Sequence, residues 1–393
     1  MSQSPQSPDA PDAVESADPA GPAQPGTPET TPDDSASPDA GPAAPSGPAE
    51  PHSALALAAL ATVAVPGLNA ARLALPQRRT ERLSIIGVVD TQGRHWEVLE
   101  AFDEATGAEL DAEAEVLRRI GRVVDAGHVS FGVSQSGGSL RSGGSHIQVR
   151  SYIEGRPIAV ESLRPGPGLS AGLGKALGEL HEMPTSVISE SGLAVYSAEE
   201  VRQRWLALLD DAAPTGHVPP TLLNRWEGAL EDTALWRFRP TVVHGDLAEE
   251  NVLTAGGSVV AVKGWAQAHV GDPAEDMAWI YSSVPVDCLD SIEDAYEVAR
   301  SEGVDRHLRD RAELVSELSL ARWLMHGVRA QSRSVISDAV AMLKDLASQV
   351  GEEPLVAPAT PRLAPVPGER VSADPDASTS EVTMVPVEDD EDD

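Results

Sequence analysis

Apolar and polar positions follow two different periods along this chain. Residues 83–89 and 95–101 are short runs rich in Val, Ile, Leu and Trp, and they flank Asp90-Thr91-Gln92-Gly93, a turn signal, so the pattern predicts a β-hairpin. Residues 103–119 switch to helical spacing, with Ala108, Ala112, Val116 and Leu117 on or near one face. A further strand pair is expected at about 129–133 and 146–152, with the loose SQSGGSLRSGGS as a flexible hairpin tip between them. Ahead of these strands, 53–65 reads as an Ala/Leu-rich helix stopped by Pro66-Gly67, and 72–82 as an arginine-bearing connector. After residue 169 helical spacing dominates, over 169–181, 198–209, 221–235, 289–300, 308–329 and 334–350. Trp205 and Trp226 fall on two of these helices and are expected in the core. One stretch breaks the helical run: 241–244 is strand-like and leads into a loop, and 252–253 and 259–262 are β-rich pieces around Gly256-Gly257. The expectation is an α+β chain, with a small antiparallel sheet first and a larger, mostly helical part after it.

The two ends follow neither period. Residues 1–52 are dominated by Pro, Ala, Ser and Asp and carry nine acidic residues with no Lys or Arg; residues 352–393 carry twelve acids against Arg362 and Arg370. Neither end offers enough apolar surface to offset chain entropy, so both are expected to be disordered tails. They hold −9 and −10 of the formal −33, which leaves −14 on the residues between them. Such a balance disfavours nucleic acid, whose phosphates would be repelled. The acidic tails read as solubilising segments, with docking to a basic protein partner as the other reading. Cys288 is the only cysteine, which excludes a disulfide framework within the chain and suits a cytoplasmic location. The run 53–65 is too short to span a bilayer and follows no basic segment, so no membrane anchor is expected.

The chemistry concentrates in 241–280. There His244-Gly245-Asp246 is followed by Asn251, five residues after the aspartate. Two strands and a tight turn can hold an aspartate and an asparagine close together, where one accepts a hydroxyl proton and the other ligates a metal on a nucleoside triphosphate. With Gly271-Asp272-Pro273 and Asp276-Met277-Ala278 downstream, the segment resembles the catalytic part of the aminoglycoside and macrolide phosphotransferases, small-molecule kinases with a protein-kinase-like fold. The resemblance covers roughly 53–350 and is specific only in 241–280. It implies a two-lobed kinase-like fold, with an N-lobe over 53–153 and a C-lobe over 154–351. ATP or GTP with Mg²⁺ would be the cofactor, and a hydroxyl-bearing small molecule the acceptor. By the same resemblance Asp246 is the catalytic base, Asn251 completes the catalytic set as a metal ligand, and His244 stands beside them, with loop packing as its simpler role. Glu113 matches the helix glutamate that orients a phosphate-holding base, Ser151 and Tyr152 lie in the hinge that faces the adenine, and Asp276 braces the catalytic loop. His181, near a helix C-terminus, reads as a satisfied packing residue.

Two positions depart from that pattern. Where the family carries an Ile-Asp-Trp metal aspartate, this chain has Lys263-Gly264-Trp265, and glycine offers no carboxylate. The strand that should carry the phosphate-holding base reads Glu97-Val98-Leu99-Glu100-Ala101, and the chain's three lysines, Lys175, Lys263 and Lys344, all lie outside it. Lys263 either turns into the cleft as a cofactor-binding cation or points toward solvent, Glu249 or Glu250. Asp272 is the nearest other carboxylate, and the family uses it to shape the loop. These departures favour a pseudo-enzyme that holds a nucleotide weakly or not at all. The alternative is an active kinase that moves the γ-phosphoryl of ATP or GTP to a hydroxyl, with Asp246 as base. An acidic C-lobe would suit cationic aminoglycosides.

Overall fold

A computed structural model of the chain describes residues 50–356, and the tail assignments for 1–49 and 357–393 lie outside the described residues. The N-lobe begins with α1 (Ala54–Ala64), whose N-cap Ser53 accepts a hydrogen bond from the N–H of Ala56. Three strands follow, β1 (Ala70–Arg79), β2 (Leu83–Asp90) and β3 (His95–Ala101), then α2 (Glu104–Asp125), β4 (Ser136–Ser142) and β5 (Ser145–Ser151). The five strands form one antiparallel sheet in the order β1-β2-β3-β5-β4. Alternation along the strands divides the sheet's apolar side chains between two faces. On one, Val88, Val98 and Val149 cluster with Leu57 and Ala61 of α1; on the other, Leu99 and Ala101 meet Leu110 of α2.

The C-lobe is mostly helical. It opens with the short β6 (Arg156–Pro157), α3 (Leu169–Glu182), the single turn α4 (Ser186–Ser189), α5 (Ala198–Ala212) and α6 (Pro220–Glu231). The site segment then supplies β7 (Thr241–Val243), β8 (Val252–Ala255), β9 (Ser258–Val262) and β10 (His269–Gly271). Four helices follow in the described residues, α7 (Ala274–Ser283), α8 (Val286–Ala299), α9 (Leu308–Arg329) and α10 (Arg333–Val350). Trp205 and Trp226 are buried in the main helical core with Leu314, Leu318 and Leu324, as their helical spacing anticipated.

The structure departs from the sequence pattern at both sheet edges. The connector expected at 72–82 is mostly strand β1, and most of the expected hairpin tip is strand β4. Both are edge strands with much of their length exposed, so they lack the apolar alternation that marks a half-buried strand. Gly143 and Gly144, with φ of +58° and +87°, make the two-residue turn that returns β4 onto β5. Residues 129–133, expected as a strand, instead carry Phe131 into the interlobe cluster beside Trp265, with Gly132 bridging to Ala261 of β9. The described residues also include a few positions assigned to the tails, and two of these contact the folded part. The N–H and Nδ1 of His52 meet the buried Glu100 carboxylate at 3.0 and 2.6 Å, and Arg225 donates to the carbonyl of Glu353 at 2.7 Å.

Candidate active site

β7 ends at Val243 and β8 starts at Val252, so the eight residues between them form the loop that carries His244, Asp246 and Asn251. This loop is fixed from below by Asp276, in the first turn of α7. Its Oδ2 accepts the N–H of His244 at 2.8 Å and its Oδ1 the N–H of Gly245 at 2.9 Å. His181 of α3 contacts the same carboxylate through Nε2 at 3.2 Å, while its Nδ1 meets the Tyr296 hydroxyl at 2.8 Å. Burial works against the Asp276 carboxylate, but the bonds from His181 and the loop amide outweigh it and hold its pKa below the usual value. Asp276 and His181 thus take the bracing and packing roles assigned from the sequence.

The ring of His244 is fully buried, and both of its nitrogens serve the main chain. Nε2 contacts the carbonyl of Lys263 at 3.0 Å and Nδ1 accepts the N–H of Asp246 at 3.3 Å. The ring packs edge-on against Trp265. Both ring nitrogens are engaged with the main chain, an arrangement that suits the loop-packing role named for His244.

Asp246 and Asn251 converge: the side-chain amide of Asn251 donates to the backbone carbonyl of Asp246 at 2.8 Å. Burial pushes the Asp246 carboxyl up; His244 opposes this, and the charges of Glu250 and Asp276 reinforce it. The amide oxygen of Asn251 faces Gly264, where a Cβ would lie 2.9 Å from it. Position 264 thus adjoins the Asn251 side chain, where the family pattern has its second ligand, but it carries no carboxylate. Among the described residues no group of three or more His, Cys, Asp or Glu side chains is placed to hold a metal ion. Asp272 is no substitute, because it is fully buried and paired with Arg311 through both oxygens, at 2.7 and 3.1 Å. Lys263 is half-buried and forms no ion pair within 4.0 Å among the described residues, while Glu249 accepts the N–H of Val160 at 3.3 Å. Of the two side-chain ligands that the family pattern places on a magnesium nucleotide, Asn251 is present and the one at position 264 is not.

Glu113 of α2 links the lobes. Its Oε1 accepts the N–H of Trp265, next to Gly264, at 3.1 Å, and its Oε2 meets Arg150 at 3.3 Å. Arg150 stands opposite Glu97 in the β3–β5 register and donates to it at 2.9 Å. Burial disfavours the Arg150 charge, but Glu113 and Glu97 together outweigh that and hold the guanidinium protonated. A cation does occupy this region, then, though it comes from β5 and is already matched by two carboxylates. The pairing was hidden because strands distant in sequence had first to be placed side by side. In the hinge, the N–H of Ser151 donates to Gln135 at 2.8 Å and that of Tyr152 to His95 at 3.0 Å. Tyr152 stacks on His95 at 3.9 Å and lines a cavity of about 620 Å³ with Glu154, Arg156 and the Gly256-Gly257 turn. The N–H groups of Ser151 and Tyr152, two of the hinge residues, are thus engaged within the protein.

A sequence model of the phosphotransferase enzyme family matches residues 88–314, from the N-lobe sheet through the loop to α9. The chain belongs to this family. An uncharacterized protein of Bacillus subtilis, YcbJ, is 31% identical over 113 residues, which is 28% of this chain and 37% of that relative. The chain therefore spans little more than a third of this curated relative. Among solved structures, macrolide 2'-phosphotransferase MphH from Brachybacterium faecium superposes with a TM-score of 0.62 at 20% identity, over 73% of this chain and 96% of MphH. The structure of APH(2")-IIia with GDP and kanamycin gives 0.60 at 18% identity, over 75% and 99%. Both establish the two-lobed kinase-like fold for this family member. Among the described residues no helix is long and apolar enough to cross a membrane.

Proposed function

We propose that this phosphotransferase-family protein is a catalytically impaired member, kept as a module that binds a small molecule in its C-lobe. The observation that carries this reading is Gly264: the Asn251 amide oxygen faces a position without a carboxylate, beside an aspartate whose own pKa is pushed up. Phosphoryl transfer relies on cations that neutralise the phosphate oxygens, and each such group is worth several powers of ten in rate. Glu97 and Glu113 already match the charge of Arg150, the cation that β5 places in this region. Relatives of the same fold are solved with GDP and with kanamycin, which supports nucleotide and small-molecule sites as the ancestral arrangement.

Transfer of labelled γ-phosphoryl from ATP or GTP to hydroxyl-bearing acceptors, macrolides and aminoglycosides together with neutral and anionic alcohols, tests the reading. The unaltered protein and Asp246→Asn should show the same residual rate, within about threefold. A rate that drops by roughly a hundredfold or more in Asp246→Asn would instead establish base-assisted transfer and the active alternative.

A further inference from the structure

A second cavity, of about 640 Å³, opens in the C-lobe beside the catalytic loop, with Gly245, the neighbour of Asp246, in its wall. The charge of its lining is opposite to that of the chain as a whole. Arg204 of α5 and Arg322 and Arg329 of α9 lie in the wall with His269, against only two carboxylates, Asp211 and Glu275. Both carboxylates already have partners: Arg329 approaches Asp211 at 3.5 Å and His269 meets Glu275 at 3.2 Å.

The surplus falls on Arg204 and Arg322. Arg204 lies over the Tyr196 ring, 4.2 Å from its centroid, and Arg322 over the Trp205 ring at 4.7 Å. Neither makes an ion pair or a side-chain hydrogen bond to protein among the described residues. Stacking uses the flat face of a guanidinium and leaves its N–H edge free, and that edge matches a carboxylate or phosphate through two parallel bonds. A polycationic aminoglycoside would meet repulsion at these same positions. The average charge of a lobe does not describe the wall of one cavity, and this wall favours an anionic ligand over the cationic aminoglycosides that the acidity of the C-lobe would suit.

We propose that this cavity binds a hydroxyl-bearing small molecule with an anionic group, carboxylate or phosphate, held by the N–H edges of Arg204 and Arg322. The proposal rests on the reading of the C-lobe as a small-molecule module and names its ligand class; it needs no nucleotide and no turnover.

Three probes of equal shape test it: 4-(hydroxymethyl)benzoate, the corresponding benzamide and the corresponding benzylamine, each titrated into the full chain and followed by ligand-detected NMR. The benzoate should bind about tenfold more tightly than the benzylamine, with the benzamide between them, and added salt should narrow the difference. The paired changes Arg204→Gln and Arg322→Gln should abolish the preference, while Arg204→Lys with Arg322→Lys, which keep the charge, should retain part of it. Thermal melts of both variants establish that they are folded. Equal binding of the three probes, preference for the amine, no benzoate binding at roughly 10 mM, or a preference that survives the glutamine changes would each overturn the proposal. Because nucleotide is absent, these outcomes are separate from those of the phosphoryl-transfer test.

Discussion

Replacing Arg311 by leucine should lower the unfolding free energy by about 3–5 kcal/mol, the range for removing one partner of a buried ion pair. Arg311 and Asp272 are both fully buried. The guanidinium grips Asp272 through Nε and Nη2, donates to the carbonyl of Leu235 at 3.0 Å, pairs with Asp305, and lies over Phe238 at 4.5 Å. Leucine leaves the Asp272 carboxylate with no cation in a site that water does not reach. Because the penalty comes from the orphaned charge, Arg311→Leu combined with Asp272→Leu should lose less than the two single changes together. Urea midpoints of the four proteins measure this; a loss below about 1 kcal/mol in Arg311→Leu would contradict the description of the pair. The same geometry has a functional consequence: Asp272 anchors α9 to the loop before α7 and cannot leave to ligate a cation.

Gly264→Asp should give the protein magnesium-dependent nucleotide binding at least about tenfold stronger than that of the unaltered chain. The carboxylate would emerge beside the amide oxygen of Asn251 and rebuild a pair of oxygen ligands. Backbone strain opposes the change. Gly264 sits at φ +85° and ψ +48°, and its added Cβ would press on the end of the Asn251 side chain at 2.9 Å, so stability should fall by about 1–2 kcal/mol. Aspartate is among the side chains best tolerated in the left-handed region, and the amide it presses on can turn. Gly264→Ala separates the two effects, since it carries similar strain and no ligand. It should lose stability and gain no magnesium dependence. The gain in Gly264→Asp should also stay partial, because Arg150 remains matched by Glu97 and Glu113. If calorimetry finds Gly264→Asp indistinguishable from Gly264→Ala with Mg·ATP, the cleft has lost more than this ligand.

How far the sequence could be read follows from the range of the forces involved. Helices were legible because their signals are local: the apolar run of α1 stops at Pro66-Gly67, and in α2 Val116 and Leu117 are buried as their spacing anticipates, although Ala108, placed on or near the same face, is exposed. The catalytic loop was legible because its chemistry sits within a few residues, from His244 to Asn251. Strands β1 and β4 were not, since an edge strand takes its conformation from its neighbour and not from its own pattern. The charge cluster of Arg150, Glu97 and Glu113 and the positive wall of Arg204 and Arg322 were likewise beyond reach. Each joins residues from separate elements, and only strand order or helix packing brings them together. For His244 the motif places the ring, but only the folded loop shows that both nitrogens meet main-chain groups.

The most direct measurement for the whole account is calorimetric titration of the unaltered protein with ATP, with and without Mg²⁺. A cleft without its acidic ligand at 264, and with its buried arginine already neutralised, predicts heats consistent with a Kd of roughly a millimolar or weaker, nearly unchanged by the metal. Micromolar binding that appears only when magnesium is present would contradict it.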